Sequence, residues 1–380
     1  MDINCPHFKL CSGCVRDHHV GDVGAYLEAK EFFVHYNVVD VPLHIGAVCG
    51  WRCRAKLAVR GSSQKPLIGL YEKGSHQVVD IPLCKVHHPA INRAADVLRH
   101  WITAEGIAPY DEERGSGLLR YVQLAVERGS QRVQLALVIN GKQESWRQHS
   151  VLVGALQRLW EQHPDLWHSL WLNFNPRRDN VIFSPRWELL YGEKWLWETI
   201  CGHAVCFHPA SFVQANLEMF ECLLEATKQQ IPTKAHVVEY YAGVGVIGMV
   251  VADKCQRVTC VEVVPLAQDC FKQAWQKLAP EQQGRLNYVS GTAGANTALL
   301  QGDVNVVVVD PPRKGLEPVL LAALCQAKRL DKLIYVSCGW ESFKRDSMQL
   351  IASGWKLSRA ESYLFFPGSE HIEILATFER

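Results

Sequence analysis

A cysteine and a glutamate near the C-terminal end of the chain are of the types and order that covalent catalysis needs. Ser337-Cys338-Gly339 supplies a thiol that can add to an electrophilic carbon, and His371-Ile372-Glu373 supplies a carboxylate that can remove a proton. Upstream, Tyr241-Ala242-Gly243-Val244-Gly245 is a glycine-rich loop of the kind that admits a nucleotide-type cofactor. Nucleophile, base and cofactor loop thus share one stretch of chain.

The cofactor loop can be read further. The strand-like run His236-Val-Val-Glu239 leads into Gly243-Val-Gly245-Val-Ile-Gly248, a literal G-x-G-x-x-G, and the next strand-like run, Val258-Thr-Cys-Val-Glu262, ends in an acid placed for ribose hydroxyls. A dinucleotide's pyrophosphate is disfavoured by Glu239 just before the loop. That carboxylate suits a cationic amino-acid cofactor such as S-adenosylmethionine. Downstream, the apolar run Asn305-Val-Val-Val-Val-Asp310 enters the turn Pro311-Pro312-Arg313-Lys314-Gly315, at the edge of an open α/β sheet where ligands bind. A dehydrogenase has no use for this turn, whereas an enzyme holding a planar base beside a methyl donor does.

A second constellation lies at the other end. Cys5, Cys11 and Cys14 follow a C-x5-C-x2-C pattern with Pro6, Ser12 and Gly13 between them, and they need a fourth ligand from farther along. Cys84 in Asp80-Ile-Pro-Leu-Cys84 is the candidate, since Pro82 puts it in a bend; Cys49 and Cys53 suit less well. Four cysteines fit a [4Fe–4S] cluster or a structural zinc. Zinc sites usually show two short C-x2-C knuckles and only one is present, so the pattern favours the cluster.

Elements that must carry these residues follow from periodicity. Residues 1–90 hold the cysteines, a helical stretch near Tyr26–His35, and a hairpin with Arg54–Arg60 and Leu67–Tyr71 as its strands. This hairpin is expected to present Arg52, Arg54, Lys56, Arg60 and Lys65 to phosphates, with Trp51 and Tyr71 available for stacking. Residues 91–197 open with a helix near Ala90–Trp101 and continue with alternating runs Leu118–Val126 and Arg132–Ile139, an antiparallel signal. From about residue 198 to 380, strands and helices alternate, which implies a Rossmann-like α/β domain with a parallel sheet. The expectation is therefore a small cysteine region, a central α+β RNA-binding domain and a C-terminal cofactor domain.

Composition narrows the class. With 40 basic and 39 acidic residues, a nucleic-acid surface must be local. No apolar run approaches the roughly 20 residues of a membrane span, and no basic start precedes an apolar stretch. The expected protein is soluble, unexported and cytoplasmic, in a reducing compartment where the 14 cysteines stay as thiols or ligands. A monomer is the default.

Taken together, Cys5-x5-Cys11-x2-Cys14, Phe212-Val-Gln214, Asp310-Pro-Pro-Arg-Lys-Gly315, Ser337-Cys338 and Phe366-Pro-x3-His371-Ile-Glu373 resemble the S-adenosylmethionine-dependent RNA 5-methyluridine methyltransferases over nearly the whole chain. Larger members carry an N-terminal TRAM barrel that has no room before Cys5, so the chain looks like the compact branch acting on a uridine of 23S ribosomal RNA. The transfer RNA branch also lacks the barrel, but it lacks this cysteine pattern too. The resemblance implies a class I methyltransferase fold, Gln214, Tyr241, Gly243, Gly245, Glu262 and Asp310 around S-adenosylmethionine, Cys338 as nucleophile and Glu373 as the base that takes the C5 proton. His371 is either a proton relay or a packed residue that orients the Glu373 turn.

Some positions depart from the family pattern. Gly339 stands where an asparagine usually follows the nucleophile, Glu239 and Ala242 replace an aspartate and a cysteine, and Gly291-Thr292 offers no aspartate for the adenine side. Two other readings stay open: an RNA-binding or ribosome-assembly protein that has lost catalysis, and a transfer RNA uracil-C5 methyltransferase.

Overall fold

The computed structural model describes residues 1–148 and 150–380. Its contacts divide the chain into two compact units, each assembled from three segments: residues 1–20, 47–197 and 208–215 in the first, and 21–46, 198–207 and 216–380 in the second.

The first unit is built on a seven-stranded sheet in the order Val78–Asp80, Lys65–Tyr71, Arg54–Ser62, Leu119–Val126, Val133–Ile139, Trp167–Phe174 and Trp187–Gly192. Both expected hairpins are present and antiparallel. Val133–Ile139 and Trp167–Phe174 instead run parallel, a pairing that needs a crossover rather than a tight turn. The helix Pro89–Ala104 turns Ile91, Ala94, Ala95, Leu98 and Ile102 inward, the spacing of a single apolar stripe, against the buried residues Leu124, Leu135 and Leu137 of the sheet. The three cysteines of residues 1–20 sit in irregular backbone, pinned to the hairpin by a Cys11–Glu72 bridge and by the Ser12 N–H, which donates to the Tyr71 carbonyl at 3.3 Å.

The basic hairpin face is not what the alternation promises. Arg54 is half-buried and donates to the Ser211 carbonyl at 2.8 Å, to the Pro209 carbonyl and to Gln123. Arg60 points into a nest of Tyr71, Tyr121 and Glu112. Arg52 lies over the Trp51 ring, and only Lys56 and Lys65 of the five cations are exposed. The period-two pattern identifies a face correctly; remote segments then cover it, and a buried guanidinium must be satisfied by carbonyls and a carboxylate.

The second unit is an eight-stranded sheet in the order Leu43–Ile45, Lys356–Leu364, Glu373–Glu379, Lys332–Ser337, Val306–Val309, His236–Tyr240, Arg257–Glu262 and Leu286–Ser290. Its five central and outer strands from Lys332–Ser337 to Leu286–Ser290 are mutually parallel, as continuous apolar runs such as Val306–Val309 require when both faces are covered. Glu373–Glu379 is antiparallel to its neighbours, so its first residue sits at the same sheet edge as the carboxyl ends of the parallel strands. Strand order reverses between His236–Tyr240 and Val306–Val309, the switch point outside which open α/β sheets bind ligands. Among the described residues no helix is long and apolar enough to cross a membrane.

Candidate active site

The carboxyl edge of the second sheet gathers most of the residues singled out above. Tyr241, Asp310 and Cys338 each follow directly on a strand, Glu262 ends one, and Glu373 begins the antiparallel strand. Ser337 pairs with Ile374 across the ladder, which puts Cys338 and Glu373 in the next register position. Gln214 belongs to the first unit, in the irregular stretch before the helix Leu217–Gln230; Arg54 fastens that stretch through Pro209 and Ser211.

Burial and mutual repulsion dominate the electrostatics. Burial pushes the Cys338 thiol up to about 12, with the charges of Glu373 and Asp310 adding and Arg313 opposing. Glu373 is raised to about 8 by burial and then by Asp310, again opposed by Arg313, and Asp310 is raised to about 7 by burial. Each group is felt by another, so thiol, two carboxylates and one guanidinium form a single acidic place. Such a field holds its protons at neutral pH and favours any cation brought into it. His371, by contrast, is exposed, its N–H donating to Ser369 Oγ at 3.2 Å, and is not the packed residue that the sequence allowed.

The glycine loop is braced from behind. Gly245 has a φ of +80°, and a Cβ there would lie 2.5 Å from the Phe271 ring, so only glycine fits. Glu239 faces inward: its carboxylate accepts from Gly248 N–H at 2.9 Å and from the Cys260 thiol, and burial raises it to about 8. Glu262 accepts from Gly243 N–H at 3.0 Å and from the N–H groups of Val263 and Val264 at 2.9 Å. Tyr241 carries a φ of +62°, and its hydroxyl accepts from Glu317 N–H at 2.9 Å, tying this loop to the start of the helix Pro318–Gln326. Thr292 Oγ1 accepts from Ala295 N–H at 3.2 Å, so it serves its own turn.

Sequence reasoning missed the residues that hold the Asp310 turn. Asp346, fully buried, accepts from Leu316 N–H at 2.8 Å and from the Tyr335 hydroxyl at 2.9 Å, while Ser342 Oγ donates to the Arg313 carbonyl at 2.8 Å. The helix Trp340–Ala352 gives no local sign of this service. Gly339 is where the turn closes: a Cβ there would stand 2.6 Å from the Arg313 carbonyl oxygen and 2.8 Å from Ser342 Oγ. Its φ of −129° is ordinary, so space rather than conformation excludes a side chain. Gly339→Asn, a return to the family residue, is therefore expected to lower methyl transfer by displacing the 311–315 turn. Activity at or above wild type in a single-turnover assay would show that the turn moves freely.

In the first unit, Cys14 is pushed up to about 12 by burial and then by Cys84, Cys11 and Cys5, and Cys84 is raised by burial and by Cys5 and Cys11. Gly13 N–H donates to Cys11 Sγ at 3.3 Å, and the N–H groups of Val86 and His87 act on the Cys84 thiol. The four expected ligands thus share one neighbourhood, yet among the described residues no group of three or more His, Cys, Asp or Glu side chains is arranged to hold a metal ion.

Comparisons with known proteins bear on this arrangement. Residues 214–365 match the family described as conserved hypothetical protein 95. The solved structure of the Pyrococcus abyssi tRNA (uracil-54, C5)-methyltransferase with S-adenosyl-L-homocysteine superposes with a TM-score of 0.75 over 93% of this chain and 81% of that one, at 21% identity, which establishes a shared fold. An RNA methyltransferase of Geobacter sulfurreducens is 31% identical over 86% of this chain and 65% of its own length. One of Protochlamydia amoebophila (strain UWE25) is 45% identical over 100% of this chain and 98% of its own length. At that identity and coverage, with Cys338, Glu373 and the glycine loop on one sheet edge, the chain belongs to the RNA methyltransferases.

Proposed function

We propose that the enzyme moves a methyl group from S-adenosylmethionine to C5 of a uridine in 23S ribosomal RNA through a covalent Cys338 adduct. The observation that carries this reading is that Cys338 follows its strand at the position facing Glu373, one step beyond the Ser337–Ile374 pair, within the same field as Asp310. An RNA methyltransferase acting on a ring nitrogen, a hydroxyl or an exocyclic amine needs no thiol there. Carbon 5 of uracil is a poor nucleophile and must be activated first.

The steps balance as follows. The Cys338 thiol loses its proton to solvent, the sulfur bonds to C6 of uracil, and the C5–C6 π electrons move out to form an enolate. Carbon 5 then takes the methyl group, which S-adenosylmethionine would supply as an electrophile on a positively charged sulfur, leaving as neutral S-adenosylhomocysteine. Glu373 removes the C5 proton, the electrons of that bond re-form the C5–C6 double bond, and the C6–S bond breaks to release the thiolate, which regains a proton from solvent. The fit of a cationic donor is supported by the acidic field itself: positive charge favours ionisation of Cys338, Asp310 and Glu373 together. Glu262, whose Oε2 holds only Gly243 while Oε1 holds Val263 and Val264, is assigned to the ribose; Tyr241, Gly243, Gly245 and Asp310 lie in the loops at the same sheet edge.

The test is incubation of the protein with S-adenosylmethionine and a 23S RNA fragment carrying 5-fluorouridine. Fluorine at C5 blocks the final proton abstraction, so a methylated covalent protein–RNA adduct at Cys338 is expected. An adduct with transfer RNA alone would replace the substrate. RNA binding without any adduct would favour a non-catalytic role.

For the first unit, the reading is a structural [4Fe–4S] cluster on Cys5, Cys11, Cys14 and Cys84. The support is a donor set of four neighbouring thiols, two of them already receiving backbone N–H groups, as thiolate ligands need. Loading would tie residues 1–14 to the 81–88 bend. Cys84→Ser is expected to lose iron and acid-labile sulfide and to lower the melting temperature. Zinc in place of iron, or full iron content in the variant, would overturn the assignment.

A further inference from the structure

Cys338 leaves the sheet at the end of one strand, and Glu373 enters it at the start of another. The ladder fixes Ser337 opposite Ile374 and Tyr363 opposite Glu373, whereas Cys338–Gly339 and the stretch 366–372 lie outside it. The sheet holds the backbone of Glu373, and what sets Cys338 and the approach to Glu373 lies beyond it. One element touches both loops, and it comes from the other end of the chain.

The helix Gly24–His35 has no side-chain cap from its own sequence: Val23, at the N-cap position, offers none. Glu370 fills that place, its Oε2 accepting from Gly24 N–H at 3.1 Å across 346 residues of chain. A carboxylate at a helix N-terminus is favoured both as an acceptor and by the helix dipole. One turn on, Glu28 Oε2 accepts from Trp340 Nε1 at 3.2 Å, 312 residues away. Trp340 is seated by rings of the same helix, with Phe32 at 5.5 Å edge-on and Phe33 at 6.1 Å. Phe33 is fully buried and packs on Phe343 as well. Glu370 stands three residues before Glu373 and Trp340 two after Cys338, so the helix holds each loop next to its reacting residue.

We propose that the helix Gly24–His35 is a positioning element for the Cys338–Glu373 pair, acting through Glu370 at its first turn and through Glu28 on Trp340. The inference rests on the reading that this pair carries the reaction. Glu28 and Glu370 touch no reacting atom; they limit how far the two loops can part. The ring contacts seat Trp340, and the two hydrogen bonds tie it and the stretch before Glu373 to the same helix.

The test compares full-length wild type with Glu28→Ala, Glu370→Ala, the double variant, and the conservative Glu28→Gln, which keeps an acceptor for Trp340. Peptide-resolved alkylation of Cys338 by iodoacetamide is followed against pH, alongside melting temperature, S-adenosylmethionine affinity and single-turnover methylation. Burial holds the Cys338 proton first, Glu373 and Asp310 add to it, and Arg313 opposes. Parting Cys338 from Glu373 removes one of those charges, so the alkylation midpoint of the double variant falls. Methylation slows on the order of 100-fold for a displacement near 1 Å. Affinity stays at the wild-type value, the melting temperature falls by no more than the few degrees that loss of a helix cap costs, and Glu28→Gln behaves as wild type in both readouts. An unchanged alkylation midpoint in the double variant, or a methylation loss that tracks the melting temperature across the variants, overturns the proposal. If wild type methylates no RNA, the functional reading fails by itself, and the alkylation midpoint still decides whether the helix positions the pair.

Discussion

Cys338→Ala is expected to abolish both methyl transfer and the adduct with 5-fluorouridine RNA. The reason is that no other group in the site can activate C5: Asp310 and Glu373 are weak nucleophiles at carbon, and Arg313 is a cation. Loss of a covalent nucleophile costs roughly 10⁴-fold or more in turnover, because residual binding and electrostatics cannot replace the bond. The fold should tolerate the change. Cys338 reaches the Pro311 carbonyl at 4.0 Å, so its removal forfeits at most a long and weak hydrogen bond. Mass spectrometry of the protein–RNA mixture decides it: an adduct persisting in the alanine variant would mean that another residue attacks, and the covalent reading would have to be rebuilt around that residue.

Glu373→Gln should give a different failure. An amide cannot take the C5 proton, so the first methyl transfer proceeds and the adduct then persists, now with unmodified uridine as substrate. Turnover falls by about 10²- to 10⁴-fold, the range of general-base catalysis, while Cys338 becomes trapped on RNA that carries the new methyl group. Free methylated RNA released at the wild-type rate would remove Glu373 from the mechanism. The same variant tests the buried charge. In the folded protein Glu373 holds its proton up to about 8, against an ordinary value of 4.5. Between these values the unfolded chain has released a proton that the folded one keeps, so stability is present below the lower value and is lost as pH rises through the upper one. At about 1.4 kcal/mol for each unit the loss amounts to several kcal/mol. Glutamine carries no such penalty, so its melting temperature should exceed wild type by more at pH 8 than at pH 5. An equal difference at both would show that the carboxylate is solvated.

What was legible in the sequence was what backbone chemistry imposes locally. Gly245 announces itself because its left-handed φ and the ring of Phe271 tolerate nothing larger, and Val306–Val309 reads as a doubly covered strand because every residue in it is apolar. Cys338 and Glu373 could be proposed together from the motifs that carry them, but their adjacency depends on an antiparallel strand returning beside Lys332–Ser337, which no local pattern encodes. Arg54 and Arg60 misled for a related reason. Alternation puts them on one face, and their covers, the 209–211 segment and Glu112, arrive from 155 and 52 residues away. The helix Gly24–His35 was visible as a helix and invisible as part of the second unit, since its hydrogen-bond partners Trp340 and Glu370 stand 312 and 346 residues away. Long-range satisfaction of buried polar groups, rather than propensity, is what a single sequence does not display.

The strand Leu43–Ile45 pairs in parallel with Ser362–Leu364, and His44 meets Glu361 from 317 residues away. On a ribosome these segments are made at opposite ends of the process. At about 5–20 residues per second, the first strand and the helix before it leave the exit tunnel on the order of 15 to 60 s before their partners exist. Neither can be finished early, and the sheet edge they belong to closes only once residues 362–364 have been made. Glu373 is in the same position, since Glu370 beside it meets Gly24 across 346 residues of chain. The sheet edge that carries Cys338 and Glu373 is therefore among the last parts of the second unit to be completed.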